Sequence, residues 1–121
     1  MATHRASQLD IWQRSHRLAL SIYRHTKTFP PEELNGITAQ LRRAAMSVPL
    51  NISEGSKKRS NVEYARCLNV AEGALAEAEY LLILSRDLGF IADETTGPLL
   101  TEVSAVSTML TTLRQRVGGP T

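Results

Sequence analysis

Seven basic side chains are the residues in this chain best suited to chemistry, and the chemistry that they suit is phosphate binding. They lie in three groups: Arg14 with Arg17, Arg42 with Arg43, and the run Lys57, Lys58 and Arg59. Guanidinium and ammonium groups contact phosphate oxygens whatever the base sequence, and such contacts weaken as the salt concentration rises. The sequence therefore predicts a nucleic-acid interface built from these seven residues. Alternatively, they are solvated or paired with acidic residues, and one such pair would join Glu54 to Arg42 or Arg43.

The charge is unevenly distributed along the chain. Residues 1–60 contain ten Lys and Arg against four Asp and Glu, a net charge of +6. Residues 61–121 contain four against eight, a net charge of −4, so the two halves add up to the +2 of the whole chain. A basic first half suits an anion such as nucleic acid. It suits equally well an acidic surface within the same fold or on another copy.

No residue pattern supports catalysis or a bound metal. Serines are present without a GxSxG frame, and no GxxxxGK[ST] phosphate loop occurs. A di-metal site in a helical bundle needs Glu-x-x-His on two helices. His4, His16 and His25 all lie within the first 25 residues, and none follows a Glu by three positions. We therefore predict a protein that is not an enzyme and has no catalytic residues, metal ligands or cofactor.

The segment 40–60 contains an apolar helical pattern interrupted by residues that are unfavourable in a helix. Pro49 has no N–H to donate and clashes with the preceding turn, which costs about 3 kcal/mol unless a kink absorbs the strain. Asn51 and Glu54 are polar and close to the apolar register, and Gly55 predicts a bend or an end of the helix. We assign these four residues to the shaping of a helix interface.

Hydrophobic periodicity predicts four helices, at about 8–28, 37–57, 61–88 and 95–117, and no strand. Ser60 followed by Glu63 predicts the start of the third helix, and Gly89 followed by Phe90 predicts a Schellman ending. Four long helices with short connections predict an all-α protein. We expect an antiparallel up-down four-helix bundle that forms a single domain over residues 1–121.

Two details of the helices carry further expectations. The stripe predicted to face the core from the first helix contains residues at a/d spacing: Leu9, Trp12, His16, Ala19 and Tyr23, widened by Ile11, Leu18 and Ile22. On that stripe His16 is expected to be a packed or edge histidine. Ser7 with Asp10 resembles a capping box for this helix. Asp93 or Gly97 is expected to cap the fourth helix, which Gly118-Gly119-Pro120 would end.

The single cysteine, Cys67, excludes an intrachain disulfide, and its apolar helical surroundings predict a buried, inert thiol. The first eight residues lack the apolar core of a signal peptide. No run approaches the roughly 18 apolar residues of a membrane-spanning helix. These observations favour a cytoplasmic protein with no membrane association.

Several motifs together resemble one bacterial protein family. They are LDIWQR at residues 9–14, RRAAMSVPxNIxEG at residues 42–55 and ALAExE at residues 74–79, where x marks a position outside the motif. These motifs resemble the four-helix bundle family that is encoded in intervening sequences of bacterial 23S ribosomal RNA genes. The resemblance extends over roughly residues 9–90, and the last helix matches by pattern alone. The chain departs from the family motif at Ser53 and at Ser56-Lys57, next to the junction of the second and third helices.

The resemblance implies a compact bundle that assembles into a homopentamer. It also implies a relation to the accessory variability determinant of diversity-generating retroelements, a basic pentameric barrel that binds a reverse transcriptase and its RNA. We therefore expect self-association, and we expect structured RNA or an RNA–protein complex as a partner. The alternative is a protein–protein adaptor or scaffold, such as a reverse transcriptase accessory subunit, that makes no direct RNA contact.

Overall fold

The chain folds into four long helices that pack around one apolar core. A computed structural model describes residues 2–118, with side chains over residues 5–118. It contains α1 (Ala2–Thr26), a single 3-10 turn (Pro31–Glu33), α2 (Ile37–Ser56), α3 (Asn61–Asp87) and α4 (Asp93–Gly118), and no strand within this range. Each helix packs against the next, and α4 packs against α1. The short connections reverse the chain direction, so the predicted antiparallel up-down four-helix bundle is confirmed.

Aliphatic side chains from all four helices fill the centre of the bundle. The largest fully buried ones are Ile11, Ile22, Leu41, Ile52, Leu68, Leu75, Leu82, Leu110 and Leu113. Between them α2 and α3 contribute small residues, chiefly Ala44, Ala45, Ala71 and Ala78, which let the two helices approach closely. Burial of these side chains is what stabilises the helices, because most helical stability in proteins comes from the packing of an apolar face and not from helix propensity.

The end of α3 has the geometry that the sequence predicts. The backbone N–H of Phe90 donates to the carbonyl of Ser85, and that of Gly89 donates to the carbonyl of Arg86, both at 2.9 Å. Gly89 has a φ of +81°, which is favourable only for a residue without a Cβ. These two hydrogen bonds define the Schellman motif, which is thereby confirmed. The ring of Phe90 then packs against Phe29, with the two ring centroids 5.7 Å apart.

Two helices begin earlier than the sequence suggests. Because α1 starts at Ala2, Ser7 lies inside the helix and is not its cap. Residues 2–8 contain no Pro or Gly, so nothing interrupts the helical backbone there. Because α4 starts at Asp93, that residue is the first of the helix, and Gly97 is internal rather than a cap. The predicted Gly-Gly-Pro ending of α4 extends past Gly118, outside the described residues.

The buried face of α1 is centred on the residues that widen the predicted stripe and not on its a/d positions. The side chains that face the core are Ile11, Ser15, Leu18, Ala19, Ile22 and Thr26. Of the a/d positions only Ala19 is buried, whereas Leu9 is 54 % exposed and Tyr23 is 38 % exposed. Ser15 and Thr26 are tolerated inside because each hydroxyl donates to a backbone carbonyl one turn earlier. The predicted stripe is therefore confirmed in part: Ile11, Leu18, Ala19 and Ile22 are buried and Trp12 packs against the core, whereas Leu9, His16 and Tyr23 form an exposed flank of α1.

One buried hydroxyl near the start of α2 predicts a stabilising substitution. Thr38 Oγ1 has no hydrogen-bond partner among the described residues, although Thr38 is only 3 % exposed. We expect Thr38→Val to raise the free energy of unfolding by about 1 kcal/mol, because it removes an unpaired polar atom at nearly constant shape. Urea denaturation followed by circular dichroism measures the change, and a loss of stability would contradict the expectation.

The matched control is Thr26→Val, at a threonine that is also 3 % exposed. Thr26 Oγ1 donates to the carbonyl of Ile22 and accepts from Arg42 Nε, with both distances 2.8 Å. Its removal leaves a guanidinium N–H without an acceptor, so we expect a loss of about 1–3 kcal/mol. The two substitutions should therefore change stability in opposite directions.

Candidate nucleic-acid interface

The structure does not bring the seven predicted phosphate-binding residues onto one face. They lie in three places: the groove between α1 and α4 (Arg14 and Arg17), the first half of α2 (Arg42 and Arg43), and the connection between α2 and α3 (Lys57, Lys58 and Arg59). The three places differ in how many of their cations already have partners within the chain.

Arg14 forms an ion pair that joins α1 to α4. Its Nη2 and Nε donate to the two carboxylate oxygens of Glu102 at 2.8 and 3.0 Å, and its Nη1 lies 3.4 Å from the Met109 sulfur. The hydrogen bond and the charge of Glu102 raise the pKa of Arg14 above its ordinary value. A bidentate pair of this kind occupies the two N–H groups with which the guanidinium would otherwise bind a phosphate. Arg14 thus acts first as a contact between helices.

Arg42 also contacts other residues of the chain, whereas Arg43 makes no ion pair with any described residue. Arg42 Nε donates to Thr26 Oγ1, and its guanidinium lies 4.7 Å from the centroid of the Tyr23 ring, a cation–π contact. Arg43 is exposed and makes no ion pair within residues 5–118. Neither arginine pairs with Glu54, so the predicted pairing is wrong for the single chain.

The polar residues predicted to shape an α2 interface find local partners. The Glu54 carboxylate lies 3.5 Å from Lys58 Nζ, one turn further along. Asn51 Nδ2 donates to the carbonyl and the hydroxyl of Ser47 at 2.8 and 3.0 Å. Pro49 is buried inside α2, which continues past it to Ser56. Their assignment to an interface stays a prediction, because one chain satisfies each polar group by itself.

Exposed cations concentrate at one end of the bundle, which we call the basic end. There α1 begins, α2 gives way to α3, and α4 ends, over residues 2–10, 50–68 and 111–118. These ranges hold seven Lys and Arg against three Asp and Glu, and a fourth carboxylate, Glu72, contacts Thr111 and Arg114 from just outside them. The opposite end, residues 19–43 and 80–100, holds five against five. The cations of the basic end are Arg5, Lys57, Lys58, Arg59, Arg66, Arg114 and Arg116.

Four cations of the basic end are not among the seven residues that the sequence predicts to bind phosphate. Arg66 and Arg114 line the same groove between the start of α3 and the end of α4. Arg116 lies beside Ser7 in a second groove, between α1 and α4. Three of the four belong to the second half of the chain, which is acidic overall, and the fourth is Arg5. The up-down topology predicts their position, because it brings the start of α1, the start of α3 and the end of α4 beside the α2–α3 connection.

The α2–α3 connection holds its cations on a short, capped turn. The backbone N–H of Lys57 donates to the carbonyl of Glu54 at 3.1 Å, and that of Lys58 donates to the carbonyl of Gly55 at 3.1 Å. Ser60 Oγ then accepts from the backbone N–H of the residue three positions later, at 3.1 Å, which confirms the predicted start of α3. Only residues 57–60 separate the two helices, so the positions of the cations are well defined.

Gly55 allows α2 to lie directly against α3 at this junction. A Cβ on Gly55 would fall 2.8 Å from Tyr64 Cδ1 and 2.9 Å from Cys67 Cβ. Gly55 is buried in the last turn of α2, which ends one residue later at Ser56, so the predicted helix end is confirmed. Gly55 has no positive φ, and it serves close approach and not a bend. The Tyr64 hydroxyl donates to Gln8 Oε1 at 2.9 Å, and burial raises the pKa of Tyr64 to about 12. Cys67 is buried, as predicted.

Large apolar side chains are exposed on two surfaces, and both surfaces extend into the basic end through Leu9, Leu50 and Val62. The first, which we call the α1–α2 face, contains Leu9, Leu20, Tyr23, Met46 and Leu50. On it the half-buried ring of Trp12 stacks on the exposed ring of His16, with centroids 5.1 Å apart and an interplanar angle of 13°. The second, which we call the α3 face, contains Val62, Val70 and Tyr80. Exposed patches of this kind often mark protein interfaces.

Two classes of site are not found in the described part of the chain. No described helix is long and apolar enough to cross a membrane. No group of three or more His, Cys, Asp and Glu residues within that part is arranged to hold a metal ion.

Comparisons with known proteins agree with this architecture. A family model described as 23S rRNA-intervening sequence protein matches residues 7–112. A crystal structure from Bacteroides thetaiotaomicron, described as a protein with unknown function from the S23 ribosomal protein family, is similar with a TM-score of 0.83. It is 21 % identical and covers 89 % of this chain and 97 % of that chain, which shows a shared fold. No curated protein matches the chain. The relation to retroelement accessory proteins stays a prediction.

The junction at Gly55 predicts opposite effects for two glycine substitutions. We expect Gly55→Ala to lower the free energy of unfolding by about 1–3 kcal/mol, because the new methyl group overlaps Tyr64 and Cys67. The control is Gly73→Ala in α3, where an added Cβ meets nothing within 4 Å. It should raise stability by about 1 kcal/mol through helix propensity. Denaturant unfolding measures both, and a stabilised Gly55→Ala would disprove the close-approach role.

Proposed function

The chain belongs to the family of 23S rRNA-intervening sequence proteins, and from that premise we propose that it binds structured RNA as a non-enzymatic homo-oligomer. The observation that carries the proposal is the concentration of seven cations against three carboxylates at the basic end. RNA is the partner that such a surface suits, because a phosphate backbone presents a dense row of negative charge.

The free cations of the basic end set the expected strength of binding. Lys58 and Arg114 pair with Glu54 and Glu72, so their charges are partly neutralised. The others are exposed and make no ion pair within residues 5–118: Arg5, Lys57, Arg59, Arg66 and Arg116. Four or five phosphate contacts give a logarithmic salt dependence with a slope of about −3 to −4. Affinity should therefore be modest for one copy.

Self-association would raise that affinity without any new contact to RNA. A closed ring needs two different surfaces on each copy, so that one surface of a copy meets the other surface of the next. The α1–α2 face and the α3 face are two such apolar surfaces. Cyclic symmetry would place every basic end on the same side of the ring, where several weak sites act together. A pentamer is the assembly that the family resemblance suggests.

A second candidate is a protein–protein adaptor, a reverse transcriptase accessory subunit being one example. The observation in its favour is the α1–α2 face, where Trp12 and Tyr23 offer the aromatic surface that is common at protein interfaces. In that case the face binds another polypeptide and the cations are solvated. The two functions differ in their response to salt, because the affinity of a packed apolar interface changes little with ionic strength.

We expect charge reversal at the basic end to abolish RNA binding. The variant Lys57→Glu/Arg59→Glu/Arg66→Glu removes three exposed cations and should weaken binding to a labelled RNA hairpin by at least about 100-fold, with a shallower salt slope. Fluorescence anisotropy between about 50 and about 300 mM salt measures both quantities.

The matched control makes the same change of charge at the opposite end, in Arg24→Glu/Lys27→Glu/Arg43→Glu. It should retain affinity within about tenfold, because only long-range attraction is lost. Equal losses in the two variants would mean that net charge alone governs binding. Absence of binding by the wild type at low salt would overturn the RNA proposal and leave the adaptor.

We expect a charge on the α1–α2 face to disrupt self-association. Leu50 is 59 % exposed on that face, and Leu88 is 53 % exposed at the end of α3, outside both apolar surfaces. Leu50→Glu should shift the protein to the monomer mass in multi-angle light scattering, because a carboxylate would have to be buried in the interface. Leu88→Glu should leave the assembly intact. A monomeric wild type, or an assembly unaffected by Leu50→Glu, would contradict the proposed ring.

A further inference from the structure

A groove lies between the second half of α1 and the start of α4. Its volume is about 740 Å³, within the range of about 300–1,000 Å³ that small-molecule sites occupy. Nothing in the proposed RNA contact at the basic end uses it. Its lining residues are Arg14, Arg17, Leu18, Ser21, His25, Thr95, Pro98, Leu99 and Glu102.

The groove has an apolar floor and polar walls. Leu18 and Leu99 are buried and form the floor, and the ring of Pro98 extends it along α4. Ser21 of α1 and Thr95 of α4 add hydroxyl groups to the lining. A flat apolar group with hydrogen-bonding edges fits such a surface, as a nucleobase would.

The charged groups of the groove are arranged as one neutral pair and one free cation. Glu102 is held by Arg14 through two hydrogen bonds, which fixes its carboxylate against the wall. Arg17 is exposed and makes no ion pair among the described side chains. The nearby Asp93 lies 3.6 Å from Arg86 of α3, so its charge is directed away from the groove.

We propose that this groove binds a nucleoside phosphate. The base lies on Leu18 and Leu99, and the phosphate pairs with the guanidinium of Arg17. A fixed carboxylate accepts hydrogen bonds from ribose hydroxyls in many nucleotide sites, and Glu102 is placed to do so here. A simple fatty acid would pair with Arg17 but would make no hydrogen bond to Glu102. The nucleotide is either free or an unpaired nucleotide of RNA, and only the second source rests on the proposed function.

Ligand-observed saturation-transfer NMR with AMP tests the site whatever the assembly state of the protein. Irradiation of the leucine methyl groups should saturate the base protons of AMP, with a dissociation constant below about 1 mM. Inorganic phosphate should compete at least about tenfold more weakly, because it gains nothing from the apolar floor.

Two groove variants and one control localise the binding. Arg17→Ala removes the exposed cation and should weaken AMP binding at least about fivefold. Ser21→Leu fills the groove and should abolish the saturation signal. Arg43→Ala, an exposed arginine on α2, should leave AMP binding within about twofold of the wild type. Circular dichroism melts confirm that each variant is folded.

Two RNA hairpins, one fully paired and one with a single unpaired nucleotide, distinguish the sources of the nucleotide. A preference for the unpaired hairpin that Ser21→Leu removes assigns the groove to RNA. Equal binding of both hairpins, with AMP binding retained, assigns it to a free nucleotide. The inference is overturned if AMP shows no saturation at about 5 mM, or if its signal is unchanged in both groove variants. Loss of all RNA binding with AMP binding intact would refute the proposed function alone.

Discussion

The missing side chain at Gly55 is the constraint on which the arrangement of this bundle depends. With no Cβ there, the end of α2 lies directly against Tyr64 and Cys67 of α3. Dispersion attraction falls steeply with distance, so this close approach gains contacts that a wider gap would lose. At this junction only four residues, 57–60, connect the two helices. Three of these are cations, so the packing of the core determines where the charge is presented.

Ion pairs between helices determine which cations remain available to bind an anionic partner. Arg14 pairs with Glu102 across α1 and α4, and Arg114 pairs with Glu72 across α3 and α4. These pairs are partly exposed, and each contributes on the order of 1 kcal/mol or less. Their main effect is on the surface potential, because they neutralise cations that the sequence counts as free. The charge that a partner meets is therefore that of the basic end and not that of the first half of the chain.

The sequence predicts this fold well because its information is local. Four periodic segments, a capped start at Ser60 and a Schellman ending at Gly89 each follow from neighbouring residues. The centre of the buried face of α1 does not, since hydropathy counts Ser15 and Thr26 as polar. Their hydroxyls bond within their own helix, which makes them compatible with the core. A stripe chosen by hydropathy alone therefore includes Ile11, Leu18 and Ile22, which are buried, but it also includes Leu9 and Tyr23, which lie on the exposed flank.

The candidate site was predictable only in the part that is continuous in sequence. Residues 57–59 form a visible basic run, whereas Arg66, Arg114 and Arg116 join it through the antiparallel topology. In the proposed ring that topology has an energetic consequence. Cyclic symmetry brings the basic ends of all copies to one side, where like charges repel within a Debye length of about 8–10 Å. RNA on that side relieves the repulsion, so binding and assembly favour one another by reciprocal linkage. The apolar faces must then supply enough association energy to exceed the repulsion in the absence of RNA, and their large exposed side chains are suited to that role.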